Sequence, residues 1–261
     1  MAYRLIASDI DGTLLTDEGE LLPQTSTAIT MAKQQGAIFT LATGRPIQGV
    51  LKYLPLVTDD TPVITCNGAV IVTAKTGRVL HEFLLPYHTA QAIIEDGLSR
   101  SATVVVWAQG RLYVSEPCGY AQLYATLSSN PALELSLLPE TEVTKIIWIL
   151  SDAACLSLQA GYTPPEGAQY KASGNSYLEF FSSQAGKGAA LKWLAEDLSI
   201  PREQVMALGD NCNDEDMLAW AGLGIAMGNA PRQVKLSADY ITGTNQQSGA
   251  ADAIEKFVLQ P

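Results

Sequence analysis

The sequence predicts an α/β protein in which one parallel-sheet domain is split by an inserted α+β module. Three observations carry this. Apolar strand-like runs alternate with helical stretches in the first third and again after Gly186, the pattern of βαβ units. From about Phe83 to about Ser183 the pattern changes to strand pairs joined by tight turns, as in an antiparallel sheet. Polar loops, several bearing carboxylates, directly follow apolar strands in the two outer segments.

Each element has a local reason. Tyr3 to Ser8 is an apolar run that reads as a buried strand. Pro23 to Gln35 reads as a helix, with Pro at its start, Lys33 near its end and Gly36 just past it. Ala37 to Ala42 is a second strand, followed by Thr43-Gly44-Arg45-Pro46 and a short helix. Pro62 to Cys66 is a third strand, closed by the Asn67-Gly68 turn. In the insert, Val104 to Trp107 and Leu112 to Ser115 flank Gln109-Gly110 as a hairpin, and Tyr120 to Leu127 is helical. Lys145 to Leu150 is a strand, and Tyr170 to Phe181 is a second hairpin around Ser173-Gly174-Asn175. Lys187 to Leu198 is helical, Val205 to Leu208 a strand, Asp214 to Ala219 helical, Leu223 to Ala226 a strand and Ala250 to Val258 a closing helix.

The 261 residues give room for one large domain or two unequal ones, and 47% apolar with 16% charged residues describe a soluble globular chain. A net charge of −11 argues against broad binding to nucleic acid or an anionic membrane. An anionic substrate then needs a local attraction. Cys66, Cys118, Cys155 and Cys212 are widely spaced without a C-x-x-C, so free thiols in a reducing compartment are expected. No signal segment opens the chain and no run is long enough for a membrane span, so a cytoplasmic location is expected.

The chemistry concentrates after the strands. Asp9 and Asp11 alternate on an extended chain and start toward the same side. Two such carboxylates repel unless one is protonated or a cation stands between them, and hard oxygen ligands suit Mg²⁺. Asp9 to Thr13, Thr43 to Arg45, Asn67-Gly68 and Gly209 to Asp214 all follow strands, and in an open parallel sheet such loops meet at one rim. Any one of them could be a simple helix cap; four at one rim are harder to dismiss.

In order and spacing, Asp9-x-Asp11-Gly12-Thr13, Thr43-Gly44-Arg45, Lys187-Gly188 and Gly209-Asp210-x-x-Asn213-Asp214 resemble the haloacid dehalogenase-like phosphohydrolase superfamily. Cys66-Asn67-Gly68, Tyr177-Leu178-Glu179 and Ala226-Met227-Gly228-Asn229-Ala230 extend the likeness to its Cof-type branch, which carries a large inserted cap. The resemblance implies a Rossmann-like core at 1–82 and 184–261 and an α+β cap at 83–183 that selects substrate. It implies that Asp9 is the nucleophile and Asp11 the general acid and base. Mg²⁺ would sit between Asp9, the backbone carbonyl of Asp11 and Asp210, with Asp214 supporting Lys187 or the metal's waters. Thr43, Gly44, Lys187 and Asn213 would hold the phosphoryl group, with Arg45, Asn67 and Glu179 as candidate substrate contacts. The loop Asn245-Gln246-Gln247-Ser248-Gly249 departs from the family pattern in having no acidic residue.

The expected activity is Mg²⁺-dependent hydrolysis of a small phosphate ester, a sugar phosphate or phosphorylated cofactor. A phosphomutase of the same superfamily and a catalytically silent metabolite-binding protein are the alternatives. Ala185-Gly186-Lys187 is not a P-loop, because Phe181 stands where its first glycine is needed and Gly188 replaces the Ser/Thr. His81 and His88 stand alone and read as structural. Seven of the ten tyrosines, with Trp107 and Trp148, fall in the insert, where core packing outweighs ring stacking on a substrate. The insert holds four basic residues against nine acidic ones, which disfavours a polyanionic leaving group.

Overall fold

The computed structural model describes residues 2–128, 130–159, 161–173 and 175–260, without the side chains of Leu127, Ser128 and Ser173. The chain divides into two compact units, Met1–His81 with Gly186–Pro261, and Glu82–Ala185. The fold class is the α/β arrangement with an antiparallel insert that the sequence predicts.

The first unit opens with β1 (Leu5–Ser8), four consecutive buried residues, as expected of a strand covered on both faces. Helix α1 (Pro23–Gln34) starts on a proline and ends before Gly36, whose φ of 92° is left-handed. Strand β2 (Ile38–Leu41) follows. The short helix expected after Pro46 is instead two 3₁₀ turns, Ile47–Gly49 and Leu51–Leu56; Gly49 and Pro55 interrupt any regular α-helix there. Strand β3 (Pro62–Thr65) then pairs antiparallel with β4 (Val70–Thr73), and β5 (Val79–Glu82) completes that three-stranded sheet. Neither β4 nor β5 is evident in the sequence, since Val-Ile-Val-Thr and Val-Leu-His-Glu, four residues each, carry too little periodicity.

The second unit contains α2 (Tyr87–Ser99), β6 (Thr103–Ala108), β7 (Arg111–Val114), α3 (Gly119–Ser128), β8 (Leu133–Glu134), β9 (Lys145–Ile149), α4 (Asp152–Gln159), β10 (Ala168–Ser173) and β11 (Tyr177–Ser182). Its six-stranded sheet has the order β10-β11-β9-β6-β7-β8, antiparallel except for β7 with β8. Gly174, the centre of the second expected hairpin turn, lies outside the described residues.

Period-two alternation sorts that sheet's side chains. Val104, Val106, Ile146, Trp148, Leu178 and Phe180 share one face with Ala90 and Ile93 of α2 and Cys155 of α4. Val105, Trp107, Leu112 and Ile147 share the other with Ala121 and Tyr124 of α3. Helix α2 eluded the sequence because Pro86 supplies no side-chain cap and Gly97 lies inside it. The aromatic concentration is largely core. Trp107, Tyr113, Tyr124 and Trp148 are buried, Tyr162 and Tyr170 pack on the first cluster, and Tyr120 and Tyr177 on the second.

The chain returns to the first unit with α5 (Lys187–Asp197), β12 (Val205–Gly209), α6 (Glu215–Trp220), β13 (Leu223–Ala226), α7 (Arg232–Leu236), β14 (Tyr240–Ile241) and α8 (Gly249–Ile254). The expected closing helix changes at Ile254 to a π-helical turn, Glu255–Leu259, in which Lys256 and Phe257 both pack on the Tyr240 ring. The main sheet is parallel, in the order β14-β13-β12-β1-β2. Chain order runs one way from β1 to β2 and the other way from β12 outward, so the crevice at the carboxyl ends of β1 and β12 is the switch point where ligands bind in such sheets.

Gly97 has a packing reason for its place in α2. A Cβ there would overlap the Trp148 indole, whose Nε1 donates to the Ile93 carbonyl at 3.2 Å. Helix propensity favours alanine over glycine by about 1 kcal/mol, but overpacking a filled core costs about 1–3 kcal/mol. Gly97→Ala is therefore expected to lower stability in chemical denaturation. Gly119→Ala in α3, where a Cβ meets nothing within 4 Å, is expected to be neutral or stabilising. Equal effects of the two changes would refute the packing argument.

Candidate active site

Asp9 follows β1 directly and is tied to the next strand, its amide donating to the Leu208 carbonyl at 3.0 Å. Its side chain is buried and meets Lys187, the first residue of α5. The Lys187 ammonium is fully enclosed; it donates to Asp9 Oδ1 at 2.6 Å and to Asp214 Oδ1 at 2.5 Å. A lysine that begins a helix is usually solvated, so something must pull this helix inward. Gly68, at φ +88°, brings its backbone so close to Gly186 that a Cβ would overlap the Gly186 carbonyl. Gly188 packs on the Asp216 carbonyl, and its amide donates to Asp216 Oδ2 at 2.9 Å. A carboxylate at a helix N-terminus is also favoured by the helix dipole.

Asp214 is fully buried and hydrogen-bonded through both oxygens. Oδ1 takes the lysine, and Oδ2 accepts from the amides of Asp210 and Asn211, each at 3.0 Å. It thereby closes the loop after β12. The Asp210 side chain meets the loop after β1, its Oδ1 accepting from the Thr13 hydroxyl at 2.9 Å. Gly12, at φ +77°, permits this approach, since a Cβ there would overlap the Asp210 carboxylate. One oxygen from each of Asp9, Asp210 and Asp214 lies within 4.8 Å of the others.

The charges do not balance. One ammonium faces three carboxylates in a largely buried space. Burial pushes the Asp9 carboxyl up to about 7; Lys187 opposes this and Asp214 adds to it. Burial, then the Asp214 charge, lifts Asp210 to about 6 against the Thr13 hydrogen bond. Burial alone would lower Lys187, but Asp214 and Asp9 outweigh it and hold the ammonium above its ordinary range. A divalent cation would offset the surplus negative charge, and carboxylate oxygens are the ligands such ions take. The residues present therefore fit a metal.

Asp11 lies outside this acidic group and is exposed. Arg45 grips its carboxylate with two bonds, Nη2 to Oδ1 at 2.5 Å and Nε to Oδ2 at 2.7 Å. Arg45 is itself set by the Gly49 carbonyl at 3.1 Å and by the Tyr53 ring, 5.4 Å below its guanidinium. The bond to Asp11 raises the Arg45 pKa further. Thr43 is buried after β2; its hydroxyl accepts from the Arg45 amide at 3.2 Å. Its carbonyl accepts from the Asn67 amide at 2.9 Å. Asn67, in left-handed conformation at φ 55°, accepts at Oδ1 from Asn213 Nδ2 at 2.9 Å. Gly44 leaves room for that side chain, because a Cβ would press on Asn67 Oδ1. Asn213 Oδ1 is buried with no partner among the described residues.

Glu179, expected as a candidate substrate contact, lies on β11 of the other unit, where its carboxylate accepts from the buried Lys145 at 2.9 Å. Two residues of the first unit escaped sequence reasoning. Asp216 stands beside other acidic residues in a helical stretch, and nothing in the sequence signals that it holds the start of α5. Asn229 stood in the quoted motif without a role; its Nδ2 donates to the Gly12 carbonyl at 2.8 Å. No helix among the described residues is long and apolar enough to cross a membrane.

Known proteins share this arrangement of chain and fold. Phosphatase YwpJ of Bacillus subtilis (strain 168) is 31% identical, the match covering 98% of this chain and 100% of that protein. Pyridoxal phosphate phosphatase YbhA of Escherichia coli (strain K12) is 29% identical over 99% of this chain and 98% of its own. The crystal structure of TM0651 from Thermotoga maritima superposes with a TM-score of 0.81 at 28% identity, covering 98% of this chain and 97% of that one. The haloacid dehalogenase-like hydrolase family matches residues 6–254, from inside β1 to the end of α8. A profile spanning both segments of the main sheet and the insert between them leaves one assignment: the chain belongs to the haloacid dehalogenase-like hydrolase family and is a phosphoric monoester hydrolase.

Proposed function

We propose that this enzyme is a Mg²⁺-dependent phosphatase hydrolysing a small phosphorylated metabolite, a sugar phosphate or phosphorylated cofactor, through an aspartyl-phosphate. The observation that carries the reading is Asp9 at the switch point, bound to a buried Lys187 and beside Asp210. Asp9 would attack phosphorus, forming an aspartyl–phosphorus bond as the bond to the ester oxygen breaks. Asp11, once released from Arg45 and protonated, would give that oxygen a proton, then take one from the water that attacks phosphorus and frees Asp9. Mg²⁺ held by Asp9, the Asp11 carbonyl and Asp210 would neutralise charge on the phosphoryl oxygens and align the attack. Lys187, Thr43, the Gly44 amide and Asn213 are proposed to hold those oxygens, since phosphoryl transfer depends chiefly on positioning and electrostatics.

Arg45 and Asn67 already have protein partners, Asp11 and Asn213, so each would have to exchange a bond to touch substrate. Glu179 would likewise have to leave Lys145. The insert is proposed as the substrate-selecting cap. Among the described residues two of its four cations are paired, Lys145 with Glu179 and Arg100 with Asp96, which supports a neutral or cationic leaving group. A relative named for pyridoxal phosphate supports the phosphorylated-cofactor arm of the proposal.

Phosphate release from a panel of phosphorylated metabolites with Mg²⁺ tests the reading. Stoichiometric inorganic phosphate is expected from wild type; an isomer without phosphate would mean a mutase, and neither product a binding protein. Asp9→Asn keeps the size of the side chain but loses the attacking anion, and a loss of roughly 10⁴-fold or more is expected. Near-normal release from that variant would sink the mechanism.

Asp11→Asn should cost ~10²–10⁴-fold on a poor leaving group. An activated aryl phosphate needs little protonation, so its first-step loss should be smaller, read in single turnover. Equal losses on both esters would remove Asp11 as the acid.

The raised carboxyls give a pH test. In the metal-free protein Asp9 and Asp210 keep protons that the unfolded chain has released at their ordinary 3.8, up to about 7 and about 6. The folded state binds more protons across that window, so its stability falls as pH rises from about 4 to about 7. A cation that replaces those protons helps most where they are gone. At one fixed Mg²⁺ concentration, the rise in melting temperature should be larger at pH 8 than at pH 5. A larger rise at pH 5 would contradict the assignment.

A further inference from the structure

Asp210 is proposed above as a metal ligand, and among the described residues the side chains that donate to it are neutral: Thr13 to Oδ1 at 2.9 Å and, more weakly, Asn229 to Oδ2 at 3.4 Å. A lysine or arginine in those places would cancel charge that a cation needs. Neutral donors aim the carboxylate and leave its charge in place. Asn229 uses one amide nitrogen for two acceptors, Asp210 and the Gly12 carbonyl at 2.8 Å, so it straddles the loops that follow β12 and β1.

The orientation of the Asn229 amide is fixed rather than free. Its Oδ1 accepts from the Asn245 backbone amide at 3.0 Å. A flipped amide would set N–H against N–H there and oxygen against the Gly12 carbonyl. Asn245 is buried and anchored in turn, with Nδ2 donating to the Leu15 carbonyl at 2.9 Å and to Asp17 Oδ1 at 3.0 Å. Leu15 and Asp17 follow the Asp9–Thr13 loop in the chain. The bonds therefore close a ring from that loop through Asn229 and Asn245 and back to it.

We propose that Asn229, held by Asn245, is a positioning residue for the metal site: it fixes the spacing of the Gly12 backbone and the Asp210 carboxylate and so sets Mg²⁺ affinity. This loop carries no acidic residue, and its support comes through asparagine amides instead. The inference rests on the Mg²⁺ reading above. Outer groups that orient a metal ligand typically govern affinity by about 10–100-fold when removed.

The test is calorimetric titration of the metal-free protein with MgCl₂. Asn229 is exposed, so Asn229→Ala should fold, and its Mg²⁺ affinity should fall about 10-fold or more. Asn245→Ala should give a smaller loss in the same direction. Gln246→Ala serves as the control in the same loop: among the described residues the Gln246 side chain bonds Glu18, at 3.2 Å, and the variant should bind Mg²⁺ as wild type does. The melting temperature of metal-free Asn229→Ala should fall by roughly a few degrees at most, since the bonds it loses lie at an exposed residue. Unchanged Mg²⁺ affinity in Asn229→Ala would overturn this inference and leave the phosphatase reading standing. A large drop in its metal-free melting temperature would make Asn229 merely structural and also overturn it. Failure of wild type to bind Mg²⁺ would overturn both.

Discussion

The enclosed ammonium of Lys187 constrains the first unit more than any other group. An uncompensated buried lysine would be deprotonated or expelled. Asp9 and Asp214 keep it charged, at 2.6 and 2.5 Å. Holding it there demands that the start of α5 lie against the loop after β3, which only a glycine at 68 permits. It also demands that the α5 amide at Gly188 find Asp216. Asp214, in turn, must be buried, and its second oxygen organises the loop that presents Asp210. Buried ion pairs add little net stability over apolar packing.

The site separates charged from neutral support. Lys187 neutralises one side, where Asp9 and Asp214 converge. The far side, at Asp210, is supported by a hydroxyl and an amide. Negative charge therefore accumulates between Asp9 and Asp210, where burial lifts both carboxyls above their ordinary range. That gradient favours a divalent cation, and it sits at the switch point of the sheet. The Asp11–Arg45 pair stands apart at the exposed edge.

The second unit handles its polar residues differently. Its sheet is covered by helices on both faces, and its aromatic rings fill the two resulting layers. Lys145 and Glu179, two charged residues on one face, satisfy each other. A small antiparallel sheet needs large side chains to build a core, which accounts for the tyrosine count without any reference to substrate.

The sequence alone determined the alternation of helix and strand, the change of pattern near Phe83, and the strand ends that carry polar loops. These are legible because periodicity and turn residues act over a few positions. It missed α2, where glycine sits inside a helix for the sake of Trp148, and β4 and β5, which are too short to show a period. Only the tertiary structure decided which side chains meet. Lys187 reaches Asp9 across 178 positions and Asn245 reaches Leu15 across 230. Arg45 went to Asp11, Asn67 to Asn213, and Glu179 to Lys145. Such partnerships follow from strand order, register and close backbone approach. A local pattern reports only which face is buried, and says nothing of what waits on the other side.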